Sequence, residues 1–177
     1  LLLSINSFKP YKDDLTYHSV LNDTIFYITE KKSRPIAQID FGKKWFWSGE
    51  GVAMQDPSVM SHIREDGQVW AMNPFVNDKL IYITYYTSLA DYSQLVLNRS
   101  TRGYEILDLK MGGDKQLSLS PLAWEDDRML FSIRPEELLQ LLSALNSDKY
   151  KLLEGTSLDA IKSAQNSVLL WVKFKEF

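Results

Sequence analysis

The chain contains only two histidines, and their spacing argues against a metal-ion site. His18 and His62 belong to no HxH or HExxH pattern, whereas a metal site in a protein usually needs three or four ligands. The sequence has no cysteine, which excludes thiolate ligands, thiol nucleophiles and disulfides. We therefore predict no catalytic residue, no metal ion and no cofactor, and we retain only His18 as a candidate for a ligand-binding face.

Three pairs of identical adjacent carboxylates invite an acid/base interpretation. The pairs are Asp13-Asp14, Asp126-Asp127 and Glu136-Glu137. Neighbouring residues of a strand point to opposite faces, so such a pair cannot flank one scissile bond. Turns and the start of a helix explain the pairs without any chemistry. The sequence also lacks a G-x-S-x-G nucleophile pattern, and the prediction leans against an enzyme.

Two tryptophans form the most unusual local feature of the chain, in the KKWFW segment at 43–47. Aromatic side chains carry large contact areas, so Trp45 and Trp47 could stack on sugar rings or dock a protein partner. The same side chains could instead fill the gap between two packed sheets. Trp45 and Trp47 are therefore ligand-face candidates together with His18, with packing as the alternative.

Short runs of β-branched and aromatic residues, separated by turn residues, predict antiparallel sheets. Three such runs lie between positions 17 and 42, where Asn22-Asp23 and a charged reversal separate them. Reversals of about two to five residues are typical of an antiparallel meander. Upstream of this stretch we predict a strand over 1–8 and a loop over 9–14.

A weak internal repeat recurs at intervals of roughly fifty residues. In each copy a pair of turn residues precedes an apolar strand, over 21–28, 76–83 and 125–132. Periods of this length are typical of propeller blades, and a closed ring needs at least about four of them. The predicted fold class is all-β, with antiparallel four-stranded meander blades of a partial six-bladed β-propeller.

The repeat predicts a single domain over 1–177 with about three blades. The blades cover approximately 1–42, 69–112 and 121–177, and 43–68 is an inter-blade connection.

One or two short helices are predicted within the last blade. Pro135 opens the segment PEELLQLL, and a proline in the first turn with Glu136 and Glu137 beside it is a helix-start signal. A second short helix is predicted over 157–164, before a terminal strand over 168–174.

Composition and charge narrow the class of partner. The 177 residues are 45% hydrophobic and 24% charged, which is typical of a globular domain with a core. A net charge of −3 at pH 7 disfavours nucleic acid, because phosphate binding needs a basic face. No apolar run reaches the roughly 18 residues that span a bilayer. The start LLLSINSF lacks a basic region and a cleavage site, so we expect a fragment or a processed product.

Several segments together resemble the C-terminal half of exported bacterial six-bladed β-propeller proteins, TolB-like or NHL-like, many of which are lipoproteins. The matching segments are FKPY at 8–11, LNDTIFYIT at 21–29, IDFG at 39–42, PEELL at 135–139 and NSVLLWVKF at 166–174. The resemblance implies a periplasmic or cell-envelope protein of unknown function and supplies no catalytic residues. It also implies that the N-terminal blades are missing from this chain.

Repeat architecture and aromatic richness favour a non-enzymatic binding or scaffolding module. The expected partners are a protein or glycan ligand, and the missing N-terminal blades or a second copy of the chain. Two alternatives stay open. A hydrolase or lyase with its site on the propeller axis would gather His18 with carboxylates from different blades in one cleft. A purely structural half would need its N-terminal half.

Overall fold

The structure is a computed structural model, and it describes residues 7–48, 63, 67–88, 91–107, 117, 119–175 and 177. Within these ranges the chain is mostly β, with three antiparallel sheets and few helices, which fits the predicted all-β class. It divides into two compact units, Leu1–Leu107 with Phe177, and Asp108–Glu176. Within the described ranges, no helix combines the length and the hydropathy that a membrane span requires.

The first unit begins with a four-stranded sheet in the order β1-β2-β3-β4. Its strands are β1 Ser7–Tyr11, β2 Asp14–His18, β3 Thr24–Ile28 and β4 Ser33–Gln38. The predicted antiparallel meander of three short strands is confirmed, although its first strand, β2, begins at Asp14, ahead of the predicted range 17–42. Its strands join in sequence order because each reversal is short.

The predicted loop over 9–14 is wrong. Strand β1 continues through Tyr11, and a short turn with Lys12 at a φ of 57° leads directly into β2. Pro10 is tolerated because β1 is an edge strand, where a missing N–H breaks no ladder. Of the strand predicted over 1–8, positions 1–6 lie outside the described residues.

The first unit also contains a second four-stranded sheet, in the order β5-β6-β7-β8. Its strands are β5 Ala71–Val76, β6 Leu80–Tyr86, β7 Tyr92–Asn98 and β8 Tyr104–Leu107. The Asn77 side-chain oxygen accepts hydrogen bonds from the backbone N–H groups of Lys79 and Leu80, at 2.9 and 2.7 Å. This local bonding closes the turn between β5 and β6.

The second unit holds a three-stranded sheet in the order β11-β10-β9. Its strands are β9 Ser120–Glu125, β10 Arg128–Ile133 and β11 Val168–Val172. Helices α1 (Pro135–Ala144) and α2 (Leu158–Ser163) lie between β10 and β11 in the chain, so both predicted helices are confirmed. This sheet has three strands among the described residues, against the four that were predicted.

The three copies of the sequence repeat do not occupy the same strand of their sheets. The copy at 21–28 leads into β3, the third strand of its sheet, whereas those at 76–83 and 125–132 lead into second strands, β6 and β10. All three are interior strands with a neighbour on each side. The repeat therefore marks a turn followed by an interior strand, and the copies are not equivalent units.

The two sheets of the first unit pack on each other through alternate apolar side chains. Ile25 of β3 lies in one cluster with Ile81 and Ile83 of β6, and all three are 0% exposed. His18 shares the face of Ile25 because the two are register partners on neighbouring strands. This face of the first sheet is termed its inner face, and the opposite one its outer face.

Candidate ligand-binding cleft

A cleft of about 1090 Å³ lies in the first unit, between the chain at 36–41 and the second sheet. Clefts that bind small molecules are typically about 300–1,000 Å³, so the volume is sufficient for a ligand or for part of a chain. The edge strands β4 and β8 both border it.

The floor of the cleft is apolar because strand alternation directs every second side chain into it. Leu95 and Leu97 come from β7, and Ile106 comes from β8. Ile36 and Ile39 line the opposite wall. This floor is suited to the apolar part of a ligand, since burying apolar area is favourable by about 25 cal/mol per Å².

A polar network at the cleft joins the first sheet to the second. Tyr11 Oη donates to Asp78 Oδ1 at 3.0 Å, and Lys12 Nζ lies 2.8 Å from the same oxygen. Arg99 Nη1 donates to Tyr11 Oη at 2.9 Å and to the Asn77 carbonyl oxygen at 2.7 Å. Hydrogen bonds from Lys12 and then Tyr11 lower the pKa of Asp78. The Asp78 carboxylate is therefore already occupied by groups of the protein.

Two cations at the cleft have fewer protein contacts. Lys44 and Arg102 line it and are exposed, and neither side chain forms an ion pair or hydrogen bond within the described part of the chain. Asp40 Oδ1, in contrast, accepts a hydrogen bond of 2.7 Å from the Gly42 N–H in its own turn. Lys44 and Arg102 are therefore the charges most available to a ligand.

The two candidate tryptophans lie against packed side chains of the first unit. Trp45 is 7% exposed and stacks on Phe41, with ring centroids 5.7 Å apart and planes at 12°. Trp47 Nε1 donates to the Trp70 carbonyl oxygen at 2.7 Å, and its ring meets Phe46 edge-on. These contacts favour the packing alternative, and the ligand-face role of both residues stays a prediction.

His18, the third candidate, is 1% exposed on the inner face of the first sheet. Its Nε2 lies 2.8 Å from the Asn22 carbonyl oxygen. Because a carbonyl oxygen can only accept a hydrogen bond, Nε2 carries the proton and Nδ1 is unprotonated. Nδ1 is buried and has no hydrogen-bond partner among the described residues. Burial lowers the pKa of His18 to about 4. The ring is therefore neutral at physiological pH, and its ligand-face role stays a prediction.

The carboxylate that acts electrostatically on His18, raising its pKa, is that of Asp23, in the turn that follows β2. It belongs to the same sheet as His18. Within the described ranges, the structure does not gather His18 with carboxylates from different sheets, which was the arrangement expected of the enzyme alternative. Those ranges also contain no cluster of three or more side chains suited to a metal ion.

Lys9 is a partly buried amine that sequence analysis missed because it assigned this position to a loop. Its Nζ contacts the Asn73 side-chain oxygen, donates to the Pro74 carbonyl oxygen at 2.9 Å, and lies 3.8 Å from the Phe75 ring centroid. Burial lowers the pKa of Lys9 to about 7. These contacts join β1 to β5. The period-two alternation of SFKPY was the available signal, once a proline is allowed on an edge strand.

Comparisons with known proteins inform the fold of the chain. No protein family and no curated protein matches it. Among solved structures, it is similar to the crystal structure of a putative exported protein from Bacteroides fragilis NCTC 9343, with a TM-score of 0.64 and 12% sequence identity. The match covers 96% of this chain and 49% of the other, so the chain spans about half the length of that protein.

Proposed function

We propose that the chain is a non-enzymatic binding module of an exported bacterial β-propeller protein, located in the periplasm or cell envelope. The three antiparallel sheets would be consecutive blades, and the cleft of the first unit would be the ligand site. The similarity to a protein described as exported supports the location. The observation that carries the proposal is the combination of an apolar floor with two sparsely contacted cations, Lys44 and Arg102.

The proposed ligand, a protein segment or a glycan, has an apolar or aromatic-stacking surface and at least one anionic group. We expect the double charge reversal Lys44→Glu with Arg102→Glu to weaken its binding at least about tenfold, or about 1.4 kcal/mol. Both side chains are exposed, so folding should be unaffected. Pull-down from an envelope extract and a glycan array identify the ligand, and titration calorimetry compares the variants.

A matched control is the double variant Lys31→Glu with Lys32→Glu. These residues are exposed in the turn between β3 and β4 and do not line the cleft. The control introduces the same net charge, so unchanged binding would assign the loss to the cleft. Blank arrays and pull-downs, or equal binding by the cleft variant, would refute the proposed function.

The outer face of the first sheet favours a second candidate role, that of a half which packs on further sheets. Phe8, Tyr17, Phe26 and Pro35 are successive register partners across its four strands. Phe8 is 61% exposed and Leu15, on the same face, 41%. A sheet face exposed to water normally carries polar residues. An apolar row of this kind fits a covering sheet from N-terminal blades or from a second copy.

Light scattering tests this candidate on the chain itself. We expect self-association that increases with concentration, because a contiguous exposed apolar patch is characteristic of an interaction surface. The double variant Phe8→Ser with Leu15→Ser should shift the chain toward the monomer. A folded wild-type monomer at every concentration tested would count against the structural role.

A further inference from the structure

Among the described strands, β8 lies at the edge of its sheet, and it borders the cleft. It is the last strand in the order β5-β6-β7-β8, so its far side has no strand partner among the described residues. The Asn98 N–H donates to the Gly103 carbonyl oxygen at 2.8 Å, which sets the phase of the ladder between β7 and β8. Alternation then makes Tyr104 and Ile106 the non-hydrogen-bonded partners of Leu97 and Leu95. Their N–H and C=O groups therefore point outward.

Four other edge strands among the described residues carry a proline. Pro10 lies in β1, Pro35 in β4, Pro74 in β5 and Pro121 in β9, each an edge strand of its sheet. A proline offers no N–H to an incoming strand, and this is a common protection against unwanted pairing. Strand β8 (YEIL) has no proline. Strand β11 also lacks one, but of these two only β8 lines the cleft.

The phase of the ladder strengthens this contrast. The Asn77 N–H donates to the Leu80 carbonyl oxygen, which makes Pro74 an outward-pointing position by the same alternation. Tyr104 and Ile106 of β8 occupy positions of that same class. At its outward position Pro74, β5 has no N–H donor, whereas β8 has an N–H donor at both Tyr104 and Ile106.

The side chains of β8 are also those of a binding surface. Tyr104 is 62% exposed and Ile106 59%, although both lie on the face that lines the apolar cleft. A strand laid along β8 would cover them with its own alternate side chains. Arg102 lies two residues before the start of β8, and Lys44 lies on the same cleft. Both cations favour acidic residues in the occupant.

We propose that the cleft takes an extended polypeptide segment, which adds as a fifth strand to the free edge of β8. The segment alternates apolar residues, directed onto Tyr104, Ile106 and the cleft floor, with polar residues, and it carries acidic residues that meet Arg102 and Lys44. Main-chain hydrogen bonds supply affinity for any extended peptide, and the pockets for alternate side chains supply the sequence specificity. The inference rests on the proposed function and specifies its ligand as a peptide strand.

The experiment uses synthetic peptides in which Ile, Val and Tyr alternate with Ser, Thr and Glu. Amide hydrogen exchange is followed on the wild-type chain with and without peptide. We expect new protection at the amides of Tyr104 and Ile106, while Glu105, already paired with β7, changes little. Titration calorimetry should show binding that falls at least tenfold when the peptide backbone is N-methylated or its apolar residues are grouped in one block.

A pair of variants at one position separates the backbone from the side chain. Ile106→Pro removes an outward N–H without breaking the ladder to β7, and should weaken peptide binding at least tenfold. Ile106→Val keeps the N–H and an apolar side chain, and should weaken binding far less than Ile106→Pro does. The exchange measurement needs no variant, so a misfolded Ile106→Pro chain would still leave a decisive test.

The outcomes separate this inference from the proposed function. No binding by any alternating peptide, or binding without protection of Tyr104 and Ile106, overturns strand addition. If a glycan binds and the Lys44→Glu with Arg102→Glu variant loses it, the binding module stands and the peptide inference falls. Pairing of β8 with a second copy, seen as the same protection without peptide but only at high concentration, also overturns it.

Discussion

Replacing Ile83 by Ala is expected to lower the free energy of unfolding by about 3 kcal/mol. Ile83 is 0% exposed and lies in the cluster that joins the two sheets of the first unit. Its neighbours Ile25 and Ile81 are held by strands on both sides, so they cannot move to fill the space. The loss then includes a cavity as well as the lost burial. Urea unfolding of the wild type and the variant measures it.

Leu15→Ala is the matched control for this measurement. Leu15 belongs to the same unit but lies on the outer face of the first sheet and is 41% exposed. Its truncation should change the free energy of unfolding by no more than about 0.5 kcal/mol. An equal loss in the two variants would mean that the sheets are not held together by the cluster around Ile83.

Acidification from pH 6.5 to pH 4 is expected to destabilise the first unit through His18. The pKa of this ring is lowered to about 4 in the folded chain by burial, from an ordinary value of 6.5. Between these values the unfolded chain binds more protons, so stability falls as the pH falls. The loss reaches about 3 kcal/mol, at about 1.4 kcal/mol for each pH unit between the two pKa values. Because His18 is 1% exposed, solvent screening is weak.

The variant His18→Gln isolates this contribution from that of the carboxylates. Glutamine does not titrate, and its side-chain N–H group can replace Nε2 as donor to Asn22. The difference in unfolding free energy between wild type and variant should therefore change across pH 4–6.5 and be flat above pH 7. Lys9, the neighbouring cation, has a folded pKa of about 7, so its own effect falls at higher pH. Parallel pH profiles would contradict the assignment.

Local chemistry explains why much of the second sheet could be predicted. Its strands are dense in β-branched and aromatic residues, and Asn77 closes their first turn with its own side chain. Local chemistry did not predict the second half of strand β1, because Pro10 is a residue type typical of loops. The position of Pro10 on an edge strand becomes visible only when β1 is seen paired with β2 alone. Strand pairing of this kind cannot be derived from the local sequence.

The cleft could not be found in the sequence because it belongs to no single segment. Ile36 and Lys44 come from the chain around β4, whereas Leu95 and Ile106 come from β7 and β8. They meet only after two sheets pack face to face. The aromatic cluster at 43–47 is unusual in composition, yet its rings contact one another and the neighbouring Phe41. The contacts of these rings favour packing, whereas the cleft is lined by ordinary residues of strands and turns.

The network of Tyr11, Lys12, Asp78 and Arg99 has a practical consequence for engineering. It joins the turn between β1 and β2 to the turn between β5 and β6. Lengthening either turn alone would therefore break the hydrogen bonds and the ion pair between them. The turn between β3 and β4 is exposed, and the Thr29 hydroxyl bonds only within it: it donates to the Lys32 carbonyl oxygen and accepts from the N–H groups of Lys31 and Lys32. A fluorescent tag or purification epitope therefore belongs between Glu30 and Lys32.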